Sequence, residues 1–247
     1  MIEDITERHL VDTVRTDFVA NASHELKTPI SALRGFVDTV IDDIEMPTET
    51  RRSFLVRSQQ QIHRLASIVQ DLLQLSRLDT SHGLDSDKTL VLNDVVHKVY
   101  LTKTLDAEIK QIQLTYEVSP DCQQQTIKGR ADDFALMFSN LIDNAIKYSD
   151  HGGTVTMMLS MTERGVIMFN VTDQGVGIPA EEHDKIFERF YRVDPARSRD
   201  KGGTGLGLSI VKHVVERYQG RIQLVSRPGQ GASFSVTFPI LQPDPTR

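Results

Sequence analysis

Across its first eighty residues the chain holds a single glycine, Gly35, and its apolar side chains return every three or four positions. Val14, Phe18, Ala22, Leu26, Ile30, Leu33, Val37, Val40 and Ile44 make one such series, the stripe of an amphipathic helix. That helix runs on the order of 60 Å at about 1.5 Å per residue. The stretch Glu45-Met46-Pro47-Thr48-Glu49 interrupts it, with Thr48 placed to cap a second helix. The stripe then resumes as Leu55, Ile62, Leu65, Val69, Leu72, Leu75 or Ser76, and Leu78. Two long helices joined by a short turn form an antiparallel hairpin. A hairpin cannot bury both its stripes alone, so pairing with a second copy as a four-helix bundle is expected.

The composition changes at Thr80-Ser81-His82-Gly83, which marks a domain boundary. Beyond it helical and strand-like segments alternate. Helices are expected at Leu92–Glu108, Asp132–Lys147 and Leu206–Tyr218. Strands are expected at Gln113–Val118, Gly153–Thr162, Gly165–Thr172, Arg221–Ser226 and Gly231–Pro239. The last two alternate with period two around Arg227-Pro228-Gly229-Gln230-Gly231. The fold class is therefore α followed by α/β, the second part being about 160 residues, within the usual size of one domain. A net charge of -6 argues against general nucleic-acid binding. The lone Cys122 excludes an intramolecular disulfide and a cysteine-built metal cluster. No apolar run approaches the roughly 20 residues of a membrane span, and no signal peptide is visible.

Five segments carry candidate chemistry. In Ser23-His24-Glu25-Leu26-Lys27-Thr28-Pro29, His24 is a potential nucleophile and Glu25 can take its proton or hydrogen-bond its ring. Thr28 lies one turn on, where its hydroxyl can orient a water, and Pro29 removes a backbone donor and bends the helix. A histidine on a helix is ordinary by itself; these neighbours are what single it out. In Asn140-Leu141-Ile142-Asp143-Asn144-Ala145-Ile146-Lys147-Tyr148, helical spacing puts Asn140, Asn144 and Lys147 on one face. The amide oxygens suit Mg²⁺ and the ammonium suits a phosphate, although a solvated polar face reads the same way.

Asp173-Gln174-Gly175-Val176-Gly177-Ile178 closes an apolar strand. Its carboxylate can accept a bond from an exocyclic amine such as adenine's, while the glycines admit a flat ring; an ordinary Asp/Gly turn is the alternative. Gly202-Gly203-Thr204-Gly205-Leu206-Gly207 leads into a helix, where bare N–H groups and the positive dipole end meet phosphates. Neither Walker A nor dinucleotide spacing is satisfied there. Between these two lie Phe187-Glu188-Arg189-Phe190-Tyr191-Arg192 and a charged stretch with Arg197, Arg199 and Lys201. That stretch is either a loop closing over a triphosphate, with Arg192 steadying the transferred group, or merely solvated.

Order and spacing together resemble a bacterial two-component sensor histidine kinase from about Phe18 to Pro239. His24 lies in a segment similar to that family's H box, Asn140–Tyr148 to its N box, and Asp173–Gly177 to its first glycine box. Phe187–Phe190 and Gly203–Gly207 resemble its F box and second glycine box. The wording around His24 and Phe187 is most similar to the phosphate-sensing and cell-wall-sensing members.

The resemblance implies a helical dimerisation and phosphotransfer domain at 17–80, with 1–16 ending a signalling coiled coil. A GHKL (Bergerat) α/β sandwich of the Hsp90 and gyrase kind would follow at 81–242, then a tail at 243–247. It implies His24 as phosphoacceptor, Glu25 as acid/base partner and Thr28 aligning water to dephosphorylate a partner. Asn144 with Asn140 would carry Mg²⁺, and Asp173 would recognise adenine. Lys147, Tyr148, Gly175, Gly177, Ile178, Phe190, Gly203, Thr204, Gly205, Leu206 and Gly207 would line the ATP site. It further implies a homodimer and a response-regulator partner docking near Ala32, Gly35, Phe36 and Thr39. A sensor region with membrane spans, absent from this sequence, would leave these residues as the cytoplasmic portion. The alternatives are an ATP-binding pseudokinase or scaffold, and a freestanding ATPase.

Overall fold

The computed structural model describes residues 2–80, 88–194 and 203–240, and of residues 2–18, 79 and 80 the backbone alone. The boundary at Ser81–Gly83, the loop residues Arg197, Arg199, Lys201 and Gly202, and the tail at 243–247 lie outside them. The chain forms two compact units, Met1–Leu73 with Ala196–Leu206, and Gln74–Pro195 with Gly207–Arg247.

The first unit is built on the expected hairpin. Helix α1 (Ile2–Asp42) runs through Pro29, and α2 (Thr48–Thr80) begins after a five-residue turn. The amide of Arg51 bonds the carbonyl of Pro47 at 3.0 Å, so Pro47 takes the first helical bond and Thr48 is the first helical residue. The cap expected at Thr48 is thus one position earlier, since a cap is the residue whose carbonyl opens the ladder. Arg51 also stitches the turn, its Nη2 donating to the carbonyls of Ile44 (2.9 Å) and Met46 (3.3 Å). Phe36 of α1 meets Phe54 of α2 with ring centroids 5.9 Å apart. Each stripe is split within one chain. Leu26, Leu33, Val40, Leu65 and Leu72 are sheltered, whereas Ile30, Val37 and Ile41 on α1 and Leu55, Ile62, Val69 and Leu73 on α2 stay exposed. The exposed set steps by sevens and fours, the spacing of a helix–helix seam.

The second unit is a mixed sheet with helices. Its elements are β1 (Thr89–Val91), α3 (Leu92–Ile109), β2 (Gln113–Val118), β3 (Thr126–Lys128), α4 (Ala131–Tyr148), β4 (Thr154–Met161), β5 (Val166–Asp173), α5 (Gly207–Arg217), β6 (Arg221–Ser226) and β7 (Ala232–Pro239). The main sheet has the order β2-β4-β5-β7-β6, in which β2 and β4 are parallel and the other pairs antiparallel. The expected strands β2 and β6 match to the residue, and the other expected elements of this unit differ by a single residue at one or both ends. The small β1–β3 ladder was not expected, because three residues are too few to show alternation.

Period two sorts the sheet faces. Ile167, Phe169 and Val171 of β5 point into the core, while Asn170 and Thr172 bond Ser233 and Ser235 of β7 on the other face. Helix α4 seals the core with Phe134, Met137, Phe138, Leu141 and Ile142, all fully buried. Phe138 packs on Phe169 at 4.6 Å and Phe134 meets Phe238 edge-on at 5.1 Å. Burying each such ring contributes about 1.5–3 kcal/mol, which locks α4 across β5 and β7. That fixes the C-terminal end of α4 beside the C-terminal end of β5, where the candidate residues gather.

Candidate nucleotide site and phosphoacceptor

Asp173 ends β5 and is only 7% exposed. Its Oδ1 accepts bonds from the amides of Gly175 (2.8 Å) and Ala232 (3.3 Å), while Oδ2 has no protein partner among the described residues. Burial pushes its carboxyl above the usual range, opposed by those two amide bonds. One oxygen is thus fixed by backbone and the other is open to a donor.

The glycines around it answer to close approach. A Cβ on Gly175 would collide with the carbonyl of Tyr148, at the end of α4. Gly177 has φ +68°, and a Cβ there would collide with the carbonyl of Arg227. The β6–β7 turn forms the floor. Gly231 donates to the carbonyl of Gly175 (2.9 Å), Gly229 to that of Val176 (2.8 Å), and the amide of Ile178 to Ser226 Oγ (2.8 Å). The carbonyl of Ile178 accepts from His183 Nε2 at 3.2 Å. Sequence reasoning read Gly231 only as part of a hairpin turn. Its φ of +73° and its contact with the Asp173 carbonyl make it as much a part of this loop as Gly175.

On α4, Asn140, Asn144, Lys147 and Tyr148 are all half-buried. Asn140 Nδ2 donates to the carbonyl of Leu136 (2.9 Å), and its Oδ1 lies against Gly207 at the start of α5, where any Cβ would stand 2.6 Å away. Asn144 makes no side-chain hydrogen bond among the described residues, which leaves its amide oxygen available as a ligand. The described residues contain no cluster of three His, Cys, Asp or Glu able to hold a metal. A single free amide oxygen beside Asn140 fits Mg²⁺, which takes one or two protein oxygens and completes its shell with phosphates and water. Lys147 Nζ stands 5.5 Å from the centroid of the Tyr148 ring.

Phe190 adopts φ +66°, an uncommon conformation for an aromatic residue, and is half-buried, as is Arg192. Phe187 meets Phe234 edge-on at 6.4 Å, which ties this segment to β7. In the glycine loop, Gly205 has φ +78° and α5 starts at Gly207. Gly203 is half-buried and Leu206 fully buried. Thr204 is buried in the first unit, where its hydroxyl donates to Asp71 Oδ2 of α2 at 2.6 Å and accepts from the amide of Leu206 at 3.2 Å.

His24 is exposed on α1. Glu25 Oε2 pairs with Arg64 Nη2 of α2 at 3.0 Å, with the Arg64 side chain 10% exposed. Thr28 donates its hydroxyl to the carbonyl of His24 at 3.2 Å, the back-bond of a helical threonine. Of the four residues proposed for regulator docking, Phe36 is turned into the hairpin against Phe54, and Gly35 has open space around it.

Two family models match the chain: His Kinase A (phospho-acceptor) domain over residues 14–81, and histidine kinase-, DNA gyrase B- and HSP90-like ATPase over residues 129–242. The sensor-like histidine kinase SenX3 of Mycolicibacterium smegmatis is 37% identical over 99% of this chain and 62% of its own length. The phosphate regulon sensor protein PhoR of Pseudomonas aeruginosa is 32% identical over 96% of this chain and 53% of its own length. The chain thus spans less than two thirds of either relative. In a solved complex of histidine kinase ThkA with response regulator protein TrrA, the similarity covers 97% of this chain and 66% of that chain, with a TM-score of 0.75 at 20% identity, which speaks for the fold alone. No described helix is long and apolar enough to cross a membrane.

Proposed function

We propose that this chain, a member of the sensor histidine kinases of two-component signalling with a phospho-acceptor domain ahead of a gyrase- and HSP90-like ATPase domain, phosphorylates His24 from ATP and passes the phosphoryl group to an aspartate of a response regulator. The observation that carries this reading is Asp173, buried with one oxygen tied to two amides and the other open to an exocyclic amine. Asn144, with Asn140, would hold Mg²⁺, which when bound offsets charge on the phosphates. The N-terminus of α5 and Lys147 would meet the same phosphates, with Arg192 steadying the group in transfer.

An imidazole nitrogen of His24 attacks the γ-phosphorus. The N–P bond forms as the bond to the bridging oxygen breaks, ADP leaves with that electron pair, and the proton on the other ring nitrogen passes to Glu25. For that, Glu25 would exchange Arg64 for the imidazole. A regulator's aspartate then attacks the phosphorus, the N–P bond breaks, and an acyl phosphate results. Thr28, by rotating its hydroxyl away from the His24 carbonyl, would align water to hydrolyse that acyl phosphate, making the protein bifunctional.

The split apolar stripes support a homodimeric four-helix bundle. The proposed boundaries are a coiled-coil end at 1–16, the phosphotransfer domain at 17–80 and the catalytic domain at 81–242. In a longer protein of the SenX3 kind, this would be the cytoplasmic portion of a membrane-anchored sensor. The scaffold reading draws on Glu25 and Thr204 both being held by other side chains.

Transfer of labelled γ-phosphate from Mg-ATP decides between them. Acid-labile, alkali-stable label that vanishes in His24→Gln is expected. ATP binding with no label would establish the scaffold instead.

A further inference from the structure

Helix α4 ends at Tyr148, and each of its last four carbonyls needs an acceptor's partner or shelter. The carbonyl of Ala145 takes two bonds from Ser149, through its amide at 3.0 Å and its hydroxyl at 2.8 Å. Those of Ile146 and Lys147 take Lys110 Nζ at 2.6 and 2.8 Å, and the same ammonium reaches the carbonyl of Ser149 at 2.7 Å. The last one, on Tyr148, faces Gly175 so closely that no Cβ fits between them. Lys110 therefore spends all three of its donors on the end of the helix that braces the Asp173 loop.

The placement of Lys110 is itself fixed. It follows α3 as the helix cap, its amide bonded to Ala107, and Gln111 then turns with φ +58°. Gly152 donates to the carbonyl of Gln111 (3.1 Å) and Gln113 to that of Gly153 (2.9 Å), so the segment after α3 and the segment after α4 are laced together. A cation at a helix C-terminus also complements the helix dipole.

We infer that Lys110 is a positioning residue for base recognition: it clamps the C-terminal turn of α4 so that the Tyr148 carbonyl and Gly175 hold the open oxygen of Asp173 at the height of a bound adenine. The inference rests on the nucleotide reading above. Lys110 touches neither phosphate nor base; it acts through the α4 terminus. Its loss therefore weakens adenine nucleotides more than guanine nucleotides, because the guanine base offers a carbonyl where adenine offers an amine and gains nothing from Asp173.

The test is titration of the full chain with Mg-ADP and Mg-GDP, in the unaltered protein, Lys110→Met and Lys110→Arg, each checked by thermal melting. Lys110→Met is expected to lose about tenfold in ADP affinity with little change for GDP, so the preference for adenine narrows. Lys110→Arg keeps the charge but offers a planar fork in place of three radiating donors, and should fall between. An unaltered ADP-to-GDP ratio in Lys110→Met overturns the assignment and leaves the nucleotide site standing. If Lys110→Met does not fold, Lys110→Arg decides alone, and an undiminished ratio there overturns it equally. Failure of the unaltered chain to bind ADP would sink the nucleotide reading itself, and this inference with it.

Discussion

Asp173 and Glu25 are both carboxylates with a part in the proposed reaction, and they are held by different kinds of partner. Around Asp173 the partners are main chain: the amides of Gly175 and Ala232, with the β6–β7 turn beneath them. Around Glu25 an ion pair comes from the Arg64 side chain of the facing helix, and Thr204 donates to the Asp71 side chain while accepting from the Leu206 amide. Backbone partners move only when an element moves, whereas a side-chain pair is exchanged by rotating a few bonds. The Asp173 loop is therefore held by main chain, and Glu25 by a side-chain pair that bond rotation can exchange.

Backbone rigidity is broken most severely at Gly177. Alanine there would meet the Arg227 carbonyl in a φ of +68°, costing about 1–3 kcal/mol for overpacking in addition to the left-handed strain. Gly177→Ala should abolish measurable ADP binding and lower the melting temperature of the nucleotide-binding unit. Unaltered binding would show that the loop is not held as rigidly as its contacts imply.

Asp173→Asn separates recognition from stability. The asparagine oxygen can keep the two amide bonds, but its NH₂ then confronts the adenine amine, and losing a charged hydrogen bond of about 1.5–3 kcal/mol weakens ATP roughly 10- to 100-fold. Because burial raises the Asp173 carboxyl, its ionisation opposes folding. That contribution to stability is present below the unfolded-state carboxylate range and is lost as pH rises through the raised value. Melting temperatures of the two proteins should accordingly diverge in favour of Asp173→Asn as pH rises toward neutrality. ATP affinity of the unaltered protein should fall as pH drops toward the raised value. Parallel melting profiles would show that burial does not penalise the charge.

The same contrast decides what was legible in the sequence. Strands β2 and β6, the hairpin and the three helices of the second unit follow from periodicity, because the core that selects them is local in pattern. Asp173, Gly175 and Gly177 were legible as a short motif at a strand end. Gly231 and Lys110 were not: one lies far along the chain from the loop it supports, and the other from the helix it caps, so no spacing rule connects them. Nor could spacing reveal that Glu25 faces Arg64, since the partner is set by how two helices pack. Thr48 missed the cap by one place because a proline carbonyl can open a helix as well as a threonine's.

At the transfer end effects should be smaller and of opposite sign. Arg64→Ala removes from Glu25 an ion pair whose arginine is largely shielded from solvent, and should raise the rate of His24 phosphorylation by about threefold to tenfold while leaving the ATP KM unchanged. A slower rate would mean that Arg64 positions Glu25 rather than withholding it.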